Sequence, residues 1–457
     1  MRRLPVLTAL ALVLLVPAAD AATRHVVRGR GFGHGIGMSQ FGAYGYAQHG
    51  RTYSQILRHY YKGTALGNTH TKLVRVVLLA SKRSVRFRGA SRLAGVRALD
   101  KRATYTVRRS GGLLGLYRGG KLKGRYRTLR VYRGGGSIRL LGRAINDISS
   151  GRYHGSIDLR RGASGGVTAI NRIKLDQYVL GVVAGEMPSS WDPEALKSQA
   201  VAARTYALAT RQHGGAFDLY PDTRSQVYKG VAGEEPSSNA AVRATAGQVV
   251  TYQGSPIVTY YFSTSGGRTE NIENSFLGAD PEPYLVSVDD PYDGISPRHT
   301  WRVSFSTRQM DARLGSYSRG TFRKIKVLKR GVSPRIVRAR VYGTRGTRTI
   351  TGPTLRARLG LFDTWARFST VSTSQVHYRA ALAAVFGRHS LPLSIQGVFT
   401  PAPRARKLAV ERRSHRRWRR VAVVRTSKGG RYALNLKRRG LYRVRSGSVA
   451  GPAVRVS

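Results

Sequence analysis

The sequence predicts an α+β fold: a β-rich domain carrying a few helices, followed by a small C-terminal β-sandwich-like domain. Short apolar runs such as VRVVLL, TYTV, LRVY and SIRLL, cut by Gly and Arg, fill residues 73–173. Many alternate apolar with basic side chains, as in Val85-Arg86-Phe87-Arg88, the period of a strand with one wet and one buried face. One helix is strongly signalled from Pro193 to about Gln212: Asp192 suits its N-cap, Pro193 its first turn, and an Ala-rich run follows before Gly214 and Gly215. In the tail, residues 407–457, short alternating strands stand between Gly turns, which reads as a small Ig-like sandwich.

A chain of 457 residues, 41% hydrophobic, can bury a sizeable core in two or more domains. Residues 1–21 read as a secretory signal peptide, with basic Arg2 and Arg3, an apolar run Leu4 to Val16 and the small-residue site Ala19-Asp20-Ala21. No later run approaches the roughly 20 apolar residues of a membrane helix, so the expectation is a secreted or cell-wall protein without a transmembrane span. Cysteine is absent, which excludes disulfides, thiolate metal sites and thiol nucleophiles. The formal charge of +57, from 79 Lys and Arg against 22 Asp and Glu, attracts polyanions. Export and the even spread of the basic residues set nucleic acid aside in favour of an anionic wall polymer or membrane surface, with a merely solvated basic surface as the plain alternative.

Behind the signal comes RGRGFGHGIGMSQFGAYGYAQHG, residues 28–50. It fits no G-x-G-x-x-G frame and has no Gly-Lys-Ser/Thr, so a nucleotide loop is set aside. Gly33, Gly35 and Gly37 around His34, then Ser39 and Gln40, suit a polar loop lining a groove; taken alone, His34 reads as a structural hydrogen-bonding residue. Ile56, Leu57 and Tyr60 mark a short amphipathic helix ending at Gly63. After the β-rich stretch, Tyr178 to Ala184 is a buried strand or short helix. Glu186 follows in a Gly-Glu-Met-Pro loop that Pro188 biases away from helix. Residues 215–230 form a loop, Ser238 to Ala246 a helix, and Gly247 to Phe262 two strands joined at Gln253-Gly254-Ser255. STSGGRTENIEN, residues 263–274, is a hydroxyl-rich turn, and the carboxylates of residues 270–293 lack calcium-loop spacing and read as solvated loop groups. Alternating strands past Trp301 run to Val371, and residues 372–406 read as a helix-containing connector.

A carboxyl group placed where apolar packing gives way to polar surface, as at Glu186, can have its pKa raised enough to act as an acid near neutral pH; capping a helix or pairing with Arg204 is the bland alternative. The segments VLGVVAGEMPSSWDPEALKSQAVAARTYAL, YYFSTSGGRTENIENSF with PYLVSVDDPYD, and GRGFGHGIGMSQFGAYGYAQHG with ILRHYYKGT resemble the family of stage II sporulation protein D and the amidase enhancer LytB. Together they sample most of residues 28–371. In that family the GHG-x-GMSQ stretch closes the domain, after a segment like LRARLGLFDTWARF; here it comes first, as in a circular permutation. The resemblance implies one interrupted domain over residues 22–371, with segment 28–64 packing beside Glu186. It implies a lytic transglycosylase acting on peptidoglycan glycan strands, or alternatively a non-catalytic wall-binding activator of a peptidoglycan amidase. Glu186 matches the family's catalytic glutamate and Arg204 an arginine thought essential, which would orient Glu186 or bind substrate; Arg268 stands near a family basic residue. His34, Ser39, Gln40, Ser263, Ser265, Arg268 and Glu270 are the candidate substrate-binding residues. Sporulation members often hold zinc through a Cys and a His in the loop that here reads FDLYPDTRSQVYKG; Tyr220, Arg224 and Ser225 stand there instead, so no metal or other cofactor is expected.

Overall fold

The computed structural model describes residues 22–457 apart from 95–96, 143–144, 377–392 and 402–404. The expected signal peptide and most of the expected connector helix lie outside the described residues. Two compact units divide the chain: residues 30–300 with 330–335, and residues 22–29 with 301–329 and 336–457.

In the first unit, two six-stranded antiparallel sheets cover the stretch read as β-rich. One contains Leu73–Lys82 beside Val167–Lys174; the other contains Ser84–Arg88 between Tyr105–Ser110 and Ile138–Leu141. The predicted alternation is realised, with Val85 and Phe87 buried while Arg86 and Arg88 are exposed. Five helices of this unit surround the site: α1 (Gln40–Gln48), α2 (Tyr53–Tyr60), α3 (Leu175–Glu186), α4 (Pro193–Ala209) and α5 (Pro236–Ala244).

Helix α4 starts as expected, with the Asp192 side chain accepting from Glu194 N at 2.8 Å and Pro193 in the first turn. It stops at Ala209, short of the expected Gln212, where the Thr210 hydroxyl turns back to Tyr206 O at 2.7 Å. Its small-residue face, Leu196, Ala200, Ala203 and Ala207, is buried, and so are Ala195, Val201 and Ala202 on other faces. Packed against α1, α2, α3, α5 and strand Gln248–Tyr252, α4 is an interior helix, which its Ala content permits by letting neighbours approach closely.

The run read as strand or short helix is helical. Leu175, Tyr178, Val179, Val182 and Val183 are buried at helical spacing. Gly181 allows close packing, since a Cβ there would lie 2.6 Å from the Tyr228 ring. Strands Gln248–Tyr252 and Ser255–Pro256 form the expected hairpin, but Tyr261–Phe262 pairs in parallel with Met38–Ser39 of the N-terminal segment.

The second unit holds a five-stranded sheet in the order Thr300–Phe305, Ala22–Arg30, Ala366–Gln375, Leu393–Thr400, Arg431–Leu436. A second sheet is built on Lys407–Ser414, Arg417–Arg425 and Gly440–Ser446. Val26, Val371, Ile395, Phe399, Leu408, Val410, Tyr432 and Val444 share one core. The C-terminal sandwich therefore does not begin at 407, and the expected boundary at 371 falls inside a strand: Ala22–Arg30 and Ala366–Gln375 complete it because Val26 and Val371 need its core to be buried. Their antiparallel register sets Gly29 opposite Ala366. The start of the GHG segment thus lies beside the end of the LRARLGLFDTWARF segment.

Candidate active site

Glu186 is the last residue of α3, not a loop residue. Pro188 restricts only the residue before it, so Met187 takes the extended conformation (φ −128°, ψ 141°) and the helix survives through Glu186. The carboxyl group is half-buried. Its Oε1 accepts from Val227 N at 3.1 Å. Burial raises its pKa above the usual carboxylate range, while the Val227 N–H, a hydrogen bond from Tyr261 and the ammonium of Lys229 pull it back. Its place at a helix C-terminus, the negative end of the macrodipole, also favours the protonated form.

A directed chain of donors leads to this carboxyl. Tyr178 Oη donates to Gln226 Oε1 at 3.1 Å, which leaves the Gln226 amide to donate to Tyr261 Oη at 2.9 Å. Tyr261 Oη is thereby an acceptor, and its own proton is directed to Glu186. Gln226 is 2% exposed, so the chain is shielded from water, where such bonds are strengthened. Tyr178 and Tyr261 are both held above the ordinary phenol pKa by burial and by the nearby Glu186 charge, so the chain is neutral.

The N-terminal segment locks the same corner. Gln40 Nε2 donates to Glu186 O at 2.9 Å and reaches Gln199 Oε1 at 3.4 Å. His34 Nδ1 accepts from Ile36 N at 3.1 Å, which leaves Nε2 to donate to Tyr261 O at 3.2 Å. His34 thus braces the backbone of the residue that touches Glu186, in a nest of Tyr260, Phe262 and Phe276 rings. Gly37 is required by this approach, since at φ +73° a Cβ would meet Tyr260 O at 2.1 Å.

Arg204 is elsewhere. Fully buried, it donates from Nε to Asp176 Oδ1 at 2.7 Å, from Nη1 to Gln248 O at 3.0 Å and from Nη2 to Val242 O at 3.4 Å. Asp176 lies in the first turn of α3, ten residues from Glu186, and at 1.5 Å per residue that is about 15 Å away. The expected pairing of Arg204 with Glu186 is therefore corrected: Arg204 ties α3, α4, α5 and strand Gln248–Tyr252 together. The cation beside Glu186 is Lys229.

Three expected substrate contacts are also buried braces. Ser39 and Ser265 are inaccessible, with Ser39 Oγ accepting from Gly42 N at 3.1 Å and Ser265 N at 3.2 Å, and Ser265 Oγ from Gly267 N at 3.0 Å. Glu270 is fully buried, accepting from Ser333 Oγ at 2.6 Å, Val332 N at 2.9 Å and Asn274 Nδ2 at 3.1 Å, and so fastens residues 330–335 to the unit. Ser263 is half-buried, its carbonyl accepting from Phe41 N at 3.0 Å. Arg268 is partly exposed, donating to Ser287 Oγ at 3.1 Å and facing Asp289 at 3.3 Å.

Nor are the carboxylates of residues 270–293 all solvated. Asp293 is fully buried, accepting from Gly266 N at 2.7 Å and contacting His299 Nδ1 at 2.5 Å. Asp290, 1% exposed, accepts from Tyr60 Oη at 2.9 Å; burial and neighbouring Asp293 push its pKa up to about 7. It lies against the first turn of α1, where a Cβ on Gly42 would come within 2.3 Å of its carboxylate. Where the resemblance puts a zinc loop, Arg224 lies over the Tyr220 ring at 3.9 Å and pairs with Asp222 at 2.7 Å, and Ser225 Oγ accepts from Tyr220 N at 3.1 Å. Among the described residues no cluster of three or more His, Asp or Glu is arranged to hold a metal ion.

Sequence reading missed Tyr261, Gln226 and Lys229. Tyr261 stood in the quoted YYFSTSGG motif, but a phenol reads as core until its neighbours are known. Gln226 and Lys229 lie in the loop over residues 215–230, where nothing local marks them as neighbours of Glu186.

The family profile described as stage II sporulation protein matches residues 163–252, the segment that carries Glu186 and α4. The chain is 34% identical over 210 residues to stage II sporulation protein D of Bacillus subtilis (strain 168), covering 42% of this chain and 60% of that protein. It is 35% identical over 212 residues to stage II sporulation protein D of Bacillus amyloliquefaciens, covering 42% and 59%. It is also 38% identical over 134 residues to a protein of Bacillus subtilis (strain 168) named amidase enhancer, covering 29% of this chain and 17% of that protein. The chain thus spans about three fifths of the length of the sporulation proteins it matches. No solved structure matches it.

Proposed function

We propose, from the premise that this chain belongs to the family of stage II sporulation protein D and the amidase enhancer LytB, that it is an exported lytic transglycosylase cleaving peptidoglycan glycan strands. Membership of that family supports a role at the cell wall, and no helix among the described residues is long and apolar enough to cross a membrane. The observation that carries the enzymatic reading is the state of Glu186: a half-buried carboxyl of raised pKa, held on a rigid helix end and fixed by the neutral chain from Tyr261.

An ordinary glycosidase needs two carboxyl groups flanking the bond, one as acid and one as base or nucleophile. No carboxylate is among the groups acting on Glu186. A single group suffices for an intramolecular route. Protonated Glu186 gives its proton to the leaving glycosidic oxygen as the bond to the muramyl anomeric carbon breaks. The resulting carboxylate then takes the proton of the muramyl C6 hydroxyl, whose oxygen bonds to the anomeric carbon and closes an anhydro ring. Acid and base are one residue in two states, and no water is consumed. The Tyr261 donor and Lys229 stabilise the carboxylate between the two halves.

The test is digestion of purified glycan, intact and stripped of stem peptides, by wild type and Glu186→Gln, with anhydro-muramyl ends read by mass spectrometry. Ends from wild type but not from the variant are the expected result; none from wild type on either substrate sinks the enzymatic reading. The similarity to a protein named amidase enhancer favours one second reading, a wall-binding activator of an amidase. It would gain if Glu186→Gln still stimulated an amidase fully.

A further inference from the structure

On α1, whose Gln40 holds the Glu186 backbone carbonyl, and on the turn that follows Glu186 in the chain stands a group of aromatic rings that the bond-breaking chemistry does not use. Trp191 ends the short turn after α3, its backbone N–H donating to Pro188 O at 3.1 Å. Its ring stacks on Tyr44, centroids 4.6 Å apart and 6° between planes, and meets Phe41 edge-on at 4.8 Å and 64°. All three rings are partly exposed. Their mounts are rigid. Phe41 follows Gln40, whose side chain holds the Glu186 carbonyl, and its own N–H binds Ser263 O; the Trp191 turn is tied to α5 through Ser237 Oγ and Ser189 O at 2.6 Å. No hydrogen bond in the described structure uses the Trp191 indole N–H, so that donor is available.

A β-1,4-linked amino-sugar chain presents ring faces of axial C–H groups rimmed by hydroxyl and amide groups. A flat aromatic surface with a nearby N–H donor complements such a face, covering the C–H groups while leaving the polar rim wet. Packing in the hydrophobic core alone would not leave three contacting rings partly exposed.

We infer that Trp191, Phe41 and Tyr44 form a glycan-stacking subsite that seats a sugar ring of the strand beside Glu186. This rests on the proposed reading of Glu186 for its substrate class, but not for its test. The non-cleaving Glu186→Gln protein is titrated calorimetrically with chitohexaose, a soluble β-1,4-linked N-acetylglucosamine oligomer. The same titration is run after adding Trp191→Ala, Trp191→Phe or Phe41→Ala. Trp191→Ala is expected to weaken binding severalfold, up to about tenfold, the size of one lost stacking contact, and Trp191→Phe to restore most of it, with melting temperatures reported for each. Should Trp191→Ala unfold the turn, Phe41→Ala carries the test, because that ring touches Trp191 from the other element.

No binding of chitohexaose by the Glu186→Gln protein, or unchanged affinity in both alanine variants, overturns the subsite. The two readings fail separately. Binding lost in the variants, with no anhydro ends made by wild type, keeps the subsite and removes the transglycosylase; anhydro ends made with an unchanged KM in Trp191→Ala do the reverse.

Discussion

At the scale of single residues, the pKa of Glu186 is the quantity on which the proposed transglycosylase activity turns. The first step needs the protonated acid, so kcat/KM falls as pH rises through that pKa, and burial, by raising it, extends activity toward neutral pH. Tyr261 and Lys229 both act to lower it. Tyr261→Phe and Lys229→Met should therefore each move the alkaline limb of the pH–rate profile to higher pH. They should also lower the maximal rate, because the second step needs the carboxylate they stabilise. A profile of anhydro-end formation against pH checks both; a limb moving to lower pH in either variant contradicts the charge assignment. Tyr261→Phe keeps the ring and its packing, so a shift in this variant reads the hydroxyl alone. His34 belongs to the same scale, though one step removed: it holds the Tyr261 backbone.

At the scale of elements, what could be read from sequence was what local chemistry decides. The start of α4 was legible because Asp192 and Pro193 act on their own turn. The strand pattern of Ser84–Arg88 was legible because alternation is local too. Glu186 could be found from its surrounding motif, but its place on a helix could not, since an apolar run as short as Tyr178 to Ala184 does not separate strand from helix. Arg204 misled for the opposite reason. A cation in an Ala-rich helix that matches a family arginine reads as functional until Asp176, Val242 and Gln248, 28 to 44 positions away in the chain, are found around it. Its removal should therefore act on the fold. Arg204→Met is expected to cost about 3 kcal/mol, as for other buried charges stripped of their hydrogen bonds. Asp176→Asn should cost less, because the Asp176 side chain is 45% exposed and the carbonyl contacts of Arg204 persist. Chemical denaturation measures both. Arg204→Met with native stability but no activity would return the residue to the site.

For the whole molecule, order in sequence and order in space part company. The GHG segment comes first in the chain, yet Gln40 and His34 place it at Glu186 and Tyr261, and Gly29, at its start, pairs with Ala366 far along the chain. Charge is the other property of the whole. With 79 basic against 22 acidic residues, and outward arginines such as Arg86, Arg88 and Arg139 on the sheets, the surface should bind an anionic wall polymer through screened, non-directional attraction. Stacking of a sugar on Trp191 is not a charge interaction and should outlast screening. Retention on isolated cell walls is therefore expected in two parts. The larger part should be released as salt rises from about 0.1 M, where the Debye length is ~10 Å, toward 1 M, where it is ~3 Å. A smaller part should survive high salt and disappear in Trp191→Ala. Walls stripped of anionic polymer should retain only the second part. Retention that is insensitive to salt on intact walls, or equal on intact and stripped walls at low salt, would remove the role assigned to the net charge.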